Sequence, residues 1–390
     1  MKTSKASAVP QVPKFFYGGE LVVLLCDFCQ NLRRDVANIH HVVTGHHPNV
    51  SIKPQGSNSV HLSKRKNSMS GPVSKFLEHH FRHFNARETL DTAKSWRQFL
   101  EDGGKMLVSL AGAMSTAELG VSLARMIRED KVHAISCTGA NLEEDVFNLV
   151  ARDEYHMVPN YRDLSPDDEY ELLKKGFNRV TDTCIPESVM RHIEHNFIGV
   201  CAENEKSGTR MTPAEIYFEL FRQEVLKPHY QAPPEDSWLM AAWEKKIPVY
   251  TPGFEDSTLG NIFAARVIEG KLSTHDSIKS GTAQMQELVD WYVTTDESSP
   301  IGFFQIGGGI AGDFAICAVP LIIQDLQKGV KLWSWFAQIS DSTTSYGSYS
   351  GAVPNEKITW CKLSKECPRF MINSDASIVA PLIFGYVLGD

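Results

Sequence analysis

From residue 69 onward, short apolar runs alternate with amphipathic helical stretches, and this alternation narrows the choice of fold most. Strands are predicted at Met106–Ala111, Val132–Thr138, Ile247–Thr251, Gly302–Ile306, Leu332–Ile339 and Lys357–Leu363. Several are continuously apolar, as strands covered on both faces must be. Between them run helical patterns: "TAELGVSLARMIRED", "NLEEDVFNLVARD", "TPAEIYFELFRQEV" and "TLGNIFAARVIEG". Thr212-Pro213 opens the third as an N-cap and first-turn pair. No internal repeat and no linker follow residue 70. The fold class is α/β: a single large domain with a mostly parallel, Rossmann-like sheet and helices on both faces.

Residues 1–68 read differently. They carry nine Lys and Arg against three Asp and Glu, a net of +6. The whole chain is at −8, so the remainder carries −14. The segment "SIKPQGSNSVHLSKRKNS" is too polar to hold a core and is expected to be disordered. The leader reads as a loose tail or an over-extended gene start rather than a secretory signal. A chain beginning at Met69 is expected to keep its melting temperature and activity. Loss of either would show that the leader docks on the globular body. The acidic balance excludes a nucleic-acid partner held through phosphates. No apolar run approaches the ~20 residues of a membrane helix. Eight scattered cysteines fit a reduced cytoplasm. Cys26 and Cys29, and the pairs His40-His41 and His46-His47, lack further ligands at metal spacing, so no metal is expected.

Ligands of open α/β sheets bind at the carboxyl ends of strands. Four loops there end in small or polar residues: "SCTGANLEED", "YTPGFEDSTLGN", "QIGGGIAGDF" and "QISDSTTSYGSYSG". Gly307, Gly309 and Gly312 match G-x-G-x-x-G after an apolar strand, a pattern that suits phosphate approach or a plain tight turn. Glu143, Glu144 and Asp145 near a helix start read as a solvated, dipole-favoured cluster. In "GSYSG" Tyr349 holds the central place, which excludes a serine nucleophile. The run Lys357–Lys362, taken as a strand, puts Ile358, Trp360 and Lys362 on one face. A strand-end lysine with its stem on the indole explains that, and so does a desolvated nucleophile.

"EDSTLGN", "IGGGIAGD", "GSYSGAVPNEKITWCK" and "INSDASIVAPLI", in that order, resemble deoxyhypusine synthase over roughly residues 70–390. The nearest branch is that of bacterial deoxyhypusine synthase-like proteins, some considered homospermidine synthases. The resemblance implies an NAD-dependent 4-aminobutyl transferase of polyamine metabolism, a cytoplasmic homotetramer with sites between subunits. Family enzymes oxidise spermidine, hold its aminobutyl group on a lysine as an imine, and deliver it to an acceptor amine. Carried over by motif, the nucleophile is Lys362. Substrate contacts fall on Glu143, Glu144, Asn261, Tyr349, Glu356 and Trp360. NAD contacts fall on Gly112, Thr116, Thr138, Glu144, Asp256, Gly308, Asp341, Ser342, Asp375 and Ala376. An indole wall at Trp360 would desolvate the Lys362 amine and free its lone pair.

Several positions depart from the eukaryotic pattern. Asp313 stands where that enzyme has a base histidine, and burial against the Phe314 segment would suit it to the same task. Asn261, Tyr346 and Tyr349 replace aspartates. Fewer carboxylates hold fewer ammonium groups, so the amine pair is expected to differ. A protein-lysine acceptor, or an NAD- or polyamine-binding protein without activity, are the alternatives.

Overall fold

The computed structural model describes residues 71–390, and the expectations for residues 1–68 lie outside the described residues. Six parallel strands form the central sheet: β1 (Lys105–Leu110), β2 (Ala134–Cys137), β6 (Val249–Tyr250), β7 (Ile301–Ile306), β8 (Trp335–Ile339) and β9 (Arg369–Ile372). Their spatial order is β6-β2-β1-β7-β8-β9. Counted along the chain within this sheet, the order is 3-2-1-4-5-6, the arrangement of dinucleotide-binding α/β folds. The chain winds outward from β1 through β2 to β6, then returns to β7 and winds the other way. The switch point therefore lies between β1 and β7, which pair Lys105 to Ile301 and Leu110 to Ile306.

Alternation along each strand feeds two separate cores. Met106, Val108 and Leu110 of β1 join Phe304, Ile306, Trp335, Ala337 and Ile339 on one face. Leu107 joins Ile301, Phe303 and Phe336 on the other. Both sets are apolar because helices cover both faces. Trp96, fully buried on helix Phe84–Glu101, packs 4.6 Å from the Phe304 ring and edge-on to Phe384 at 5.8 Å. Buried aromatic area of this kind anchors the first of these helix layers.

The four quoted helical patterns fold as helices Gly120–Arg128, Gly139–Ala151, Pro213–Arg222 and Thr258–Ile268. Thr212 caps the third with a reciprocal bond from Glu215, as its spacing implies. Two departures stand out. A small antiparallel sheet, β3 (His156–Met157), β5 (Thr183–Pro186) and β4 (Phe177–Val180), is inserted between β2 and β6. Its strands are two to four residues long, too short for a periodic signal.

The second departure is Lys357–Leu363, which is not a strand. Glu356–Thr359 is one helical turn, Trp360 closes it, and Cys361 adopts a left-handed φ of 54°. Only an isolated bridge from Leu363 to Trp333 remains of the expected pairing. The place beside β8 is taken by β9, so the segment cannot pair there as a strand. Among the described residues no helix is long and apolar enough to cross a membrane.

Candidate active site

The reversal at Cys361 turns Lys362 inward, and the lysine is only 6% exposed. Its backbone is fixed on both sides: its N–H donates to the Lys357 carbonyl at 3.0 Å, and its carbonyl accepts from Trp333 at 3.2 Å. The Lys362 ammonium donates to Asp313 Oδ1 at 3.2 Å. Asp313 comes from helix Gly309–Ile316, which starts directly after β7 and its glycine loop. The site thus joins the carboxyl end of β7 to the loop that follows β8.

Lys362, Asp313, Tyr349, Glu356 and Trp360 all line one cavity of about 330 Å³. Five of the positions picked from the sequence therefore converge. The local arrangement differs from expectation in two respects. Trp360 is 67% exposed, with its ring centroid 5.9 Å from Lys362 Nζ, so it does not wall the amine off from water. The closer ring is Tyr349, at 5.3 Å. Asp313 is not buried against the Phe314 segment either, its side chain being 50% exposed and turned to Lys362. The first follows from the strand reading, which placed the lysine beside the indole rather than across a chain reversal; the second follows from Asp313 turning to the Lys362 ammonium instead of the apolar wall.

Tyr349 is held firmly. Its hydroxyl donates to Gln305 Oε1 of β7 at 2.7 Å, and burial pushes its ionisation well above the ordinary range. A neutral ring is thereby fixed as the cavity floor. Missed from the sequence was Lys357, which the strand pattern sent to the opposite face. It is 2% exposed and lines the same cavity. Burial, with the Lys362 charge adding to it, lowers its pKa to about 8. Pro354-Asn355-Glu356 before it is a turn and helix-start signal that would have revealed the helical turn.

The expected cofactor positions follow the ends of six different strands: Gly112 and Thr116 after β1, Thr138 after β2, and Asp256 after β6. Gly308 follows β7, Asp341 and Ser342 follow β8, and Asp375 and Ala376 follow β9. Neighbouring loops touch across the sheet end. Thr138 Oγ1 donates to the Gly112 carbonyl at 2.9 Å, and the Thr116 N–H donates to Glu144 at 3.3 Å. Gly112 and Gly309 have φ of 63° and 59°, which other residues adopt only with strain. At Gly308 a Cβ would run into the Ser350 side chain, so only glycine lets these loops close. Thr116 and Asp375 line a second cavity of about 770 Å³, reaching the small sheet.

The acidic trio is not the solvated cluster that its helix position suggested. All three carboxylates are buried. Glu143 accepts the N–H groups of Thr258 and Leu259, each at 2.9 Å, at the start of helix Thr258–Ile268. Asp145 accepts from Ser237 and from the N–H groups of Trp238 and Leu239, and burial raises its pKa to about 6. Glu144 has only the Thr116 amide, and burial raises it to about 7. Asn261 donates to the carbonyls of Glu255 and Ser257. None of Glu143, Glu144 and Asn261 lines the Lys362 cavity.

Glu144 makes stability depend on pH with a definite sign. Its folded pKa is raised above the ordinary value, so the native state holds the proton more tightly than the unfolded chain. Stability therefore falls as pH rises from about 4.5 to about 7. Glu144→Gln removes that titration, and its melting temperature is expected to drop less than wild type between pH 5 and pH 8. Parallel melting curves would show that Glu144 is not the titrating group.

Residues 78–387 match the family model described as deoxyhypusine synthase. A deoxyhypusine synthase-like protein of Thermosynechococcus vestitus is 27% identical over 298 residues, covering 72% of this chain and 69% of that one. One from Nostoc punctiforme is 28% identical over 312 residues, covering 75% and 73%. An Archaeoglobus fulgidus protein named "Probable deoxyhypusine synthase 2" is 23% identical over 307 residues, covering 78% and 94%. With most of its length matched, the sheet order of a dinucleotide-binding fold, and a buried lysine at the motif position, the chain belongs to the deoxyhypusine synthase family of transferases.

Proposed function

We propose that the chain is an NAD-dependent 4-aminobutyl transferase of the cytoplasm that forms homospermidine or a related polyamine. Lys362 would carry the aminobutyl group as an imine. The observation that carries this reading is the Lys362 amine, buried and paired with Asp313 at the wall of a cavity that Glu356 also lines. Attack on a carbonyl-like carbon needs an amine sheltered from water, with a group nearby to take its proton. Glu356 is the second carboxylate at that cavity and would hold a substrate ammonium. Two carboxylates against two lysines leave little net attraction for a long polycation, which favours a short diamine as acceptor.

The residues at the strand ends fit a dinucleotide. The Thr116 hydroxyl is buried without a hydrogen-bond partner at a cavity large enough for part of one. NAD, when bound, would take hydride from the donor's amine-bearing carbon and later return it to the product. Thr116, Thr138, Gly308 and Asp375 would hold it. Asp375 also caps helix Ala376–Leu388, accepting from the Ser377 N–H at 2.8 Å. Asp375→Asn keeps that cap. Asp375→Asn and Asp256→Ala are each expected to weaken NAD binding about tenfold, a loss of roughly 1.4 kcal/mol, by calorimetric titration. Wild-type affinity in both would set these positions aside.

The homotetramer of the resemblance, with sites between subunits, is part of the proposal. Exposed Trp360 and Tyr346 beside the Lys362 loop support a surface that another copy covers. The deciding experiment incubates the protein with NAD and a panel of amines, followed by mass analysis of products. A new secondary amine joining two amine skeletons is expected. Transfer only to a protein lysine would favour the deoxyhypusine reading, and no product from any amine would favour a binding protein.

A further inference from the structure

Lys357 and Lys362 share one cavity and one aromatic ring. Lys357 Nζ lies 4.8 Å from the Tyr349 centroid and 4.9 Å from that of Phe336, while Lys362 Nζ lies 5.3 Å from Tyr349. Their surroundings differ in one respect that matters chemically. Lys362 has a carboxylate at 3.2 Å. Lys357 has no carboxylate within ion-pair distance among the described residues, and its hydrogen bond is to the Ala352 carbonyl at 3.4 Å.

A buried ammonium without a counter-ion is costly, so the amine readily exists in its neutral form. Every charged group facing it can be named. Lys362 repels its charge, exposed Glu356 and half-exposed Asp313 favour it more weakly, and burial outweighs them, bringing the amine to about 8. Phe336 and Tyr349 face it as uncharged rings. Cys317, on the same cavity wall, has its thiol raised by burial and stays protonated.

We propose that Lys357 is a second catalytic lysine, the base that takes the proton from the acceptor amine as that amine attacks the carbon held on Lys362. This rests on the imine reading of Lys362 given above. The acceptor ammonium passes a proton to Lys357 Nζ, and its freed electron pair bonds to the carbon of the Lys362 iminium. The C=N π pair goes to the Lys362 nitrogen. Lys357 then gives its proton to that nitrogen and takes a second one from the acceptor nitrogen. The carbon–Lys362 bond breaks with its pair going to Lys362, which leaves as a neutral amine. The acceptor nitrogen's pair closes the new C=N bond, and Lys357 returns its proton to solvent. No oxidant or reductant enters this transfer.

The test separates loading from delivery. The protein is incubated with NAD and spermidine, and the Lys362 adduct is measured by borohydride trapping. Putrescine is then added and the disappearance of the adduct is timed. Lys357→Met is expected to load Lys362 as wild type does and to deliver about 100-fold more slowly. Lys357→Arg, which keeps the charge but cannot give up its proton, is expected to be equally slow. Wild-type delivery should rise with pH through about 8, and both variants should lose that rise. Fast delivery by either variant, or a wild-type delivery rate flat across that range, overturns the base role. A wild type that never loads Lys362 overturns the imine reading and this proposal together.

Discussion

Lys362→Ala is expected to lose product formation by at least about 10⁴-fold while binding NAD like wild type. The size of the effect follows from what the residue does in the proposed reaction. A nucleophile that carries the transferred group cannot be bypassed by positioning alone. The fold should tolerate the change, because both backbone bonds at position 362 are main-chain bonds that alanine retains. The Asp313 carboxylate left behind is half exposed and can turn to water. Lys362→Met, which refills the volume, should be equally inactive. Substantial turnover in either variant would place the imine elsewhere.

Asp313→Asn is expected to lower the saturating rate of NADH appearance about 100-fold and to change the Michaelis constant for the amine little. Hydride can leave an amine-bearing carbon only after the nitrogen has lost its proton, so a base is needed beside the glycine loop. Asp313 is the carboxylate at that place, and its position at the cavity wall puts it within reach of substrate as well as of Lys362. Asparagine keeps the shape and can still accept from Lys362, but it cannot take a proton. An anchoring role alone would show the opposite pattern, a raised Michaelis constant at an unchanged saturating rate. Single-turnover measurement distinguishes the two.

The central sheet was legible because its strands are covered on both faces and read as continuous apolar runs. Five of the six predicted strands overlap observed ones, from β1 at Lys105–Leu110 to β8 at Trp335–Ile339. The sixth failed for a reason of scale. Six residues with alternating polarity fit a strand and a single helical turn equally well, and only the tertiary structure, in which β9 holds the place beside β8, decides between them. The strand that does occupy the edge, Arg369–Ile372, is four residues long and only partly buried, so it gives little pattern.

The site was legible in identity more than in geometry. Lys362, Asp313, Tyr349, Glu356 and Trp360 do meet, but which ring faces the amine depends on Cys361 taking a left-handed conformation. A cysteine gives no sequence signal for that, as a glycine would. The buried roles of Glu143 and Asp145 depend on helices starting more than ninety residues away, which no local pattern reveals.

The most direct measurement of the central claim is borohydride trapping during turnover with NAD and spermidine, followed by peptide mass mapping. The expected result is an aminobutyl mass increment on the peptide containing Lys362, absent without NAD and absent in Lys362→Ala. An increment on any other lysine, Lys357 included, or product formation with no trapped lysine at all, contradicts it.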